Sequence, residues 1–155
     1  MVGAMPRRRA KRARPRRRAR AAASAGTTPR EADAESLLLT LARELAGLPA
    51  ETDVSAALRL LAAAHAPDGP LARAVARAWI RGRDDKTAEL ALAWAREQVR
   101  LALEEILARS PRRGALLGAV GTRAWLLLAA AESIAHEPPE AAADRVRTLL
   151  DLVDG

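Results

Sequence analysis

Residues able to act as acids, bases or metal ligands are few in this chain, and their spacing suits none of those roles. The two histidines, His65 and His136, stand 71 positions apart, each just ahead of a proline. A histidine near a helix end can bond a free last-turn carbonyl and, when charged, favours the dipole; that is the role expected of both. A di-iron bundle needs Glu-x-x-His on two helices, whereas Glu132 and His136 are one residue too far apart and occur once. Asp84-Asp85 and Glu104-Glu105 are adjacent pairs, which point in different directions on a helix and form no acid/base couple. The absence of cysteine excludes a disulfide framework, a thiolate metal site and a Cys nucleophile. No Ser, Thr or His sits in a nucleophile motif, and no Gly-rich loop follows a strand. The expectation is a protein that is not an enzyme, with no metal and no cofactor.

Two polar residues fall among apolar ones. Gln98 is four after Trp94 and three before Leu101; Glu132 is seven after Trp125 and four after Leu128, on the same helical face. A buried carboxylate is costly unless paired, and pockets combine apolar walls with a few such groups. From the residues alone, Glu132 is expected at the edge of a helix interface, paired with an Arg, and Gln98 half-solvated.

The elements that must position these groups are helical. The apolar half of the composition is mostly Ala and Leu, with no Phe or Tyr and three Trp, and Ala and Leu are strong helix formers. Thr28 and Glu31 have capping-box spacing with Pro29 at the first helical position. Leu37, Leu38, Leu41 and Leu45 follow, and Gly47 and Pro49 stop the run. Asp53 caps a second helix bearing Val54, Leu58 and Leu61, ending before Pro67. Asp68-Gly69-Pro70 opens a third, with Leu71, Val75, Ala78 and Trp79, closed by Gly82. The fourth and longest spans about 84–109; Ala88, Leu92, Ala95, Val99, Leu103 and Ile106 form its stripe, widened by Leu90, Trp94 and Leu101. The fifth runs from about Ala115 to His136, with Leu116, Val120, Leu127 and Ile134 on one stripe and Leu117, Trp125 and Leu128 beside it. Pro138-Pro139 forces a boundary, and Glu140 opens a sixth with Val146, Leu149, Leu150 and Val153. No alternating strand pattern occurs. The predicted fold class is all-α, a six-helix bundle over 30–155.

Charge divides the chain. Ten of the fifteen residues from Pro6 to Arg20 are Arg or Lys, and no acid occurs before Glu31. Eleven basic residues in 1–30 leave fifteen basic against nineteen acidic in the rest. The body therefore carries −4 beneath an overall +7. Residues 1–29 are expected to be a disordered Arg-rich tail. No apolar run follows it, so it is not a secretory signal, and its prolines oppose an amphipathic transit helix. The most apolar window, AWLLLAAAESIA (124–135), is far short of the roughly 20 residues of a membrane span and reads as a buried helix. Absence of cysteine fits a cytoplasmic setting.

The segment APDGPLARAVARAWIRGRDDKTAELALAWAREQVRLALEEILAR, with AWLLLAAAESIAHEPPEAAADRVRTLLDLV, resembles the C-terminal regulatory domain of TetR-family transcriptional repressors. The helix order is similar to the last six of that family's nine, over roughly 31–155. The resemblance implies a homodimer built by the last two helices, here about 115–136 and 138–153, with Leu127, Ile134, Val146 and Leu149 as interface candidates. It also implies a pocket for a small hydrophobic ligand, with Trp94, Gln98, Trp125 and Glu132 as contact candidates; no membrane partner is expected, because no apolar run is long enough to span one.

The departure lies in front. The family's helix-turn-helix head occupies about 45 residues; some 30 precede the first helix here, without apolar periodicity, so no residue is assigned to base readout. RSPRRGALLGAVGTRA also reads less like the family than its flanks. The tail resembles the basic arm that precedes the head, which suggests a head lost by deletion or by a shifted reading frame. A competing function is non-specific nucleic-acid binding through Arg7, Arg8, Arg9, Lys11, Arg12, Arg16, Arg17 and Arg18. Each neutralised duplex phosphate would add about −0.9 to the salt slope. An arm without aromatic residues cannot stack on bases.

Overall fold

Three of the helices begin at an aspartate that takes up free amides. In the computed structural model, which describes residues 33–110 and 118–154, the elements are α1 (Ala34–Ala46), α2 (Val54–Ala64), α3 (Pro70–Gly82), α4 (Lys86–Arg109), α5 (Val120–Ile134) and α6 (Pro139–Asp154). Asp33 accepts from the Ser36 amide at 2.8 Å and Asp53 from the Ala56 amide at 2.7 Å. Asp85 takes the Thr87 and Ala88 amides at 2.9 and 3.1 Å. Such a cap is worth about 1 kcal/mol. α3 starts instead with Pro70 in its first turn, where the missing N–H costs nothing. The tight approach to Pro70 requires glycine, because a Cβ on Gly69 would lie 2.8 Å from the Ala66 carbonyl oxygen.

One expected boundary is corrected and one lies outside the described residues. The Thr28–Glu31 capping box is the one that lies outside; α1 begins after Asp33, whose extended backbone forms the cap. α5 does not run from Ala115: Gly118 has a φ of 108° and Ala119 is extended, so the helix starts at Val120. Residues 115–117 lie outside the described part, with Leu116 and Leu117, as does the basic tail. The described residues hold six helices and no strand.

α4 is the spine, about 36 Å long at 1.5 Å per residue, and it packs against α1, α2, α3 and α5. Of its predicted stripe, Leu92, Ala95, Val99, Leu103 and Ile106 are buried and Ala88 is partly buried, with Ala102 and Leu107 buried beside them. α1 lies alongside; Arg109 at the end of α4 donates to the Leu48 carbonyl just past the end of α1. α5 runs back antiparallel. Its start places Gly121 against Arg100 and Glu104, and its end brings Glu132 to Arg96. Ala95, Ala124 and Ala131, all fully buried, let these helices approach closely. Leu45, Leu58, Leu61, Leu103 and Leu128 fill the space between them, each contributing about 1.5–3 kcal/mol of burial. A smaller cluster of Ala62, Ile134 and Ala142 fastens α6 to α2 and α5, with Val146 and Leu149 packed on it.

The predicted widening of the α4 arc is also corrected. Leu90, Trp94 and Leu101 are exposed, because no helix covers that side of α4 among the described residues. No described helix is long and apolar enough to cross a membrane.

Candidate functional site

α3, α4 and α5 do not close on one another. Between them lies a groove of about 1110 Å³, with Leu38 of α1 and His65 at the end of α2 also on its wall. That volume slightly exceeds the roughly 300–1,000 Å³ of small-molecule pockets. Val75 and Ala78 from α3, Leu92 and Ala93 from α4 and Leu128 from α5 supply apolar surface. Trp79, Ile80 and Trp125 line it while remaining largely exposed, so they form its rim. α3 can present an apolar wall here because its residues at i, i+3 and i+4 (Leu71, Ala74, Val75, Ala78) share one face.

Most of the charged groups of the groove are held in pairs. Arg96 reaches across from α4 to Glu132 on α5 with two hydrogen bonds, Nε to Oε1 at 2.5 Å and Nη2 to Oε2 at 2.6 Å. This bidentate pair raises the Arg96 pKa above its already high ordinary value, through the hydrogen bond to Glu132. Arg100, a turn further along, is gripped by Glu97 and Glu104. The hydrogen bond from Arg100 lowers the Glu97 carboxyl below the usual range. Glu89 pairs with Lys86 at 2.9 Å.

His65 is the buried member. It forms the C-cap of α2, and its Nδ1 lies 2.9 Å from the Leu61 carbonyl oxygen, the last-turn bond expected of it. Burial pushes its pKa below the ordinary value of 6.5, against the raising effects of the Leu61 bond and nearby Glu132. His136 also lines the groove, from an exposed position past α5.

The four ligand candidates are thereby separated. Trp125 and Glu132 lie on the groove wall; Trp94 and Gln98 do not. Trp94 is 53% exposed on the uncovered side of α4 and Gln98 is half-buried, as a half-solvated side chain would be. Glu132 is paired with an arginine at a helix interface, the arrangement its environment called for. Of the dimer candidates, Leu127 (2% exposed) and Ile134 (1%) are enclosed within the single chain and offer no surface to a second one. Val146 and Leu149 are partly buried against the smaller cluster. Leu126 and Leu152 are the exposed large apolar residues of α5 and α6 in addition to Trp125. Arg7, Arg8, Arg9, Lys11, Arg12, Arg16, Arg17 and Arg18 fall outside the described residues.

No family model, curated protein or solved structure matches the chain. The site therefore rests on its own geometry. Sequence reasoning missed Arg96 and the groove-facing role of His65. Arg96 lies on α4 two residues after Trp94 with nothing local to distinguish it from the other arginines; only the crossing register of α4 and α5 selects it. One further buried group escaped notice. Arg123, in the first turn of α5, is enclosed, and its Nε finds no hydrogen-bond partner among the described residues.

Proposed function

We propose that the helical body is a small-molecule-sensing, self-associating module of the TetR-like regulator type. The observation that carries this is the groove between α3, α4 and α5. It is apolar along its walls, rimmed by two tryptophans, and has a few fixed polar groups inside, the composition of a ligand site. The order and relative lengths of the helices support the same reading, with a long central α4 and two closing helices. Self-association belongs to the exposed surface of α5 and α6 around Leu126 and Leu152, since Leu127 and Ile134 are consumed by the core. Contact with DNA would fall to a reading head or to the basic tail.

The test uses the neutral fluorophore N-phenyl-1-naphthylamine, which brightens in apolar surroundings. The full chain is expected to bind it saturably with one site per chain. Ala93→Trp, which fills the groove from an exposed position on α4 without touching the core, is expected to abolish the signal. Unsaturable binding that ignores this substitution would overturn the reading. Sedimentation of the same samples is expected to report a dimer, and a monomer at about 100 μM would remove the regulator part of the proposal.

A further inference from the structure

We infer that His65 is the polar anchor of the groove: its Nε2 accepts a hydrogen bond from an uncharged, largely apolar ligand that carries a hydroxyl or N–H group. This rests on the reading of the groove as a ligand site and adds the chemical class of what it holds.

Geometry fixes the imidazole. A carbonyl oxygen can only accept, so the 2.9 Å contact with Leu61 puts the hydrogen on Nδ1 and leaves the lone pair of the neutral ring on Nε2. Nε2 has no protein partner among the described residues, and it is not among the side-chain nitrogens sealed from solvent. The ring lies on the groove wall with Leu38, Leu92 and Leu128. An acceptor in apolar surroundings favours a ligand that brings a donor, because the same acceptor left bare costs its desolvation. Burial favours the neutral imidazole, so the acceptor form is the one present near pH 7.

Charge argues for a neutral ligand. Arg96 is matched in charge by Glu132, which takes two of its N–H groups, and Arg100 by Glu97 and Glu104. Glu89 is held by Lys86. Neither a ligand carboxylate nor a ligand amine finds a free counter-charge inside; Arg83 and His136 stand at exposed positions where water screens them. An ion held away from that exposed edge would have to compete with one of these pairs to be matched.

Calorimetry on the full chain at pH 7.5 with three probes of one shape tests this: 1-naphthol, its methyl ether 1-methoxynaphthalene, and 1-naphthoate. The naphthol is expected to bind about three- to tenfold tighter than the ether, the worth of one neutral hydrogen bond, with naphthoate the weakest. His65→Leu is expected to erase the preference, bringing the ratio of naphthol to ether affinity to about one, because the hydrogen bond that separates the two probes is gone. Equal affinity of naphthol and ether for the native chain, a measurement that needs no variant, would overturn the role of His65 while leaving the ligand site standing. A naphthol preference that survives His65→Leu would do the same, and tightest binding of naphthoate would overturn the neutral class. Failure of all three probes to bind would overturn this inference together with the ligand-site reading.

Discussion

Glu132→Gln and Arg96→Met, singly and together, measure how firmly the floor of the groove is tied. The two hydrogen bonds at 2.5 and 2.6 Å place the charge centres about 4 Å apart, where the gross attraction is about 4 kcal/mol at an effective dielectric near 20. Against it stand the lost freedom of two long side chains, about 1–2 kcal/mol each at full immobilisation, and partial desolvation. Their side chains remain 38% and 30% accessible, so water screens the pair and the net coupling falls well below the gross figure. The bidentate geometry lifts it above an ordinary surface pair. The expected coupling is about 1–2 kcal/mol, read by urea unfolding of the four proteins as the shortfall of the double mutant from the sum of the singles. The pair Arg147–Asp144 on α6, far more exposed, serves as an internal contrast and should couple by no more than about 0.5 kcal/mol. A coupling at Arg96–Glu132 below about 0.3 kcal/mol would mean that the helices are positioned by their apolar contacts alone, and that the pair is incidental to the groove.

Two further outcomes follow from buried cationic or titratable groups. Arg123→Met keeps the aliphatic stem and removes an enclosed guanidinium whose Nε lacks a partner among the described residues, so thermal unfolding should find it neutral or more stable by about 1 kcal/mol; a loss larger than that would reveal a partner for Arg123. His65 is held below its ordinary pKa of 6.5 by burial, so the unfolded chain binds its proton first and stability should fall as pH drops below about 6.5, by at most about 1.4 kcal/mol per pH unit. His65→Gln should flatten urea-unfolding stability between pH 7.5 and 5.5, and an unchanged slope would refute the assignment.

What the sequence made legible was whatever is decided within one turn of helix. Asp53 announces a helix start because a capping carboxylate acts on an amide three residues on, and Pro70 acts on its own φ. The inward stripe of α4 was equally readable, since Leu92, Ala95, Val99, Leu103 and Ile106 recur at the helical period whatever surrounds them. The start of α5 was not, because a single residue, Gly118, turns the chain into a positive φ that neighbouring apolar residues do not signal.

The site was half legible for a related reason. Periodicity tells which residues share a face but not where the neighbouring helices end, so Leu90, Trp94 and Leu101 looked as apolar as the buried stripe and yet face away from α1, α3 and α5. Burial of a carboxylate creates a demand for a cation that can be stated from Glu132 alone. The residue meeting that demand is 36 positions away, and only the antiparallel crossing of α4 and α5 singles out Arg96. His65 shows both levels in one side chain. Its Nδ1 answers to the α2 carbonyl four residues back, a local bond that its place before Pro67 foretold. Its Nε2 answers to the gap left by three other helices, which no stretch of α2 encodes.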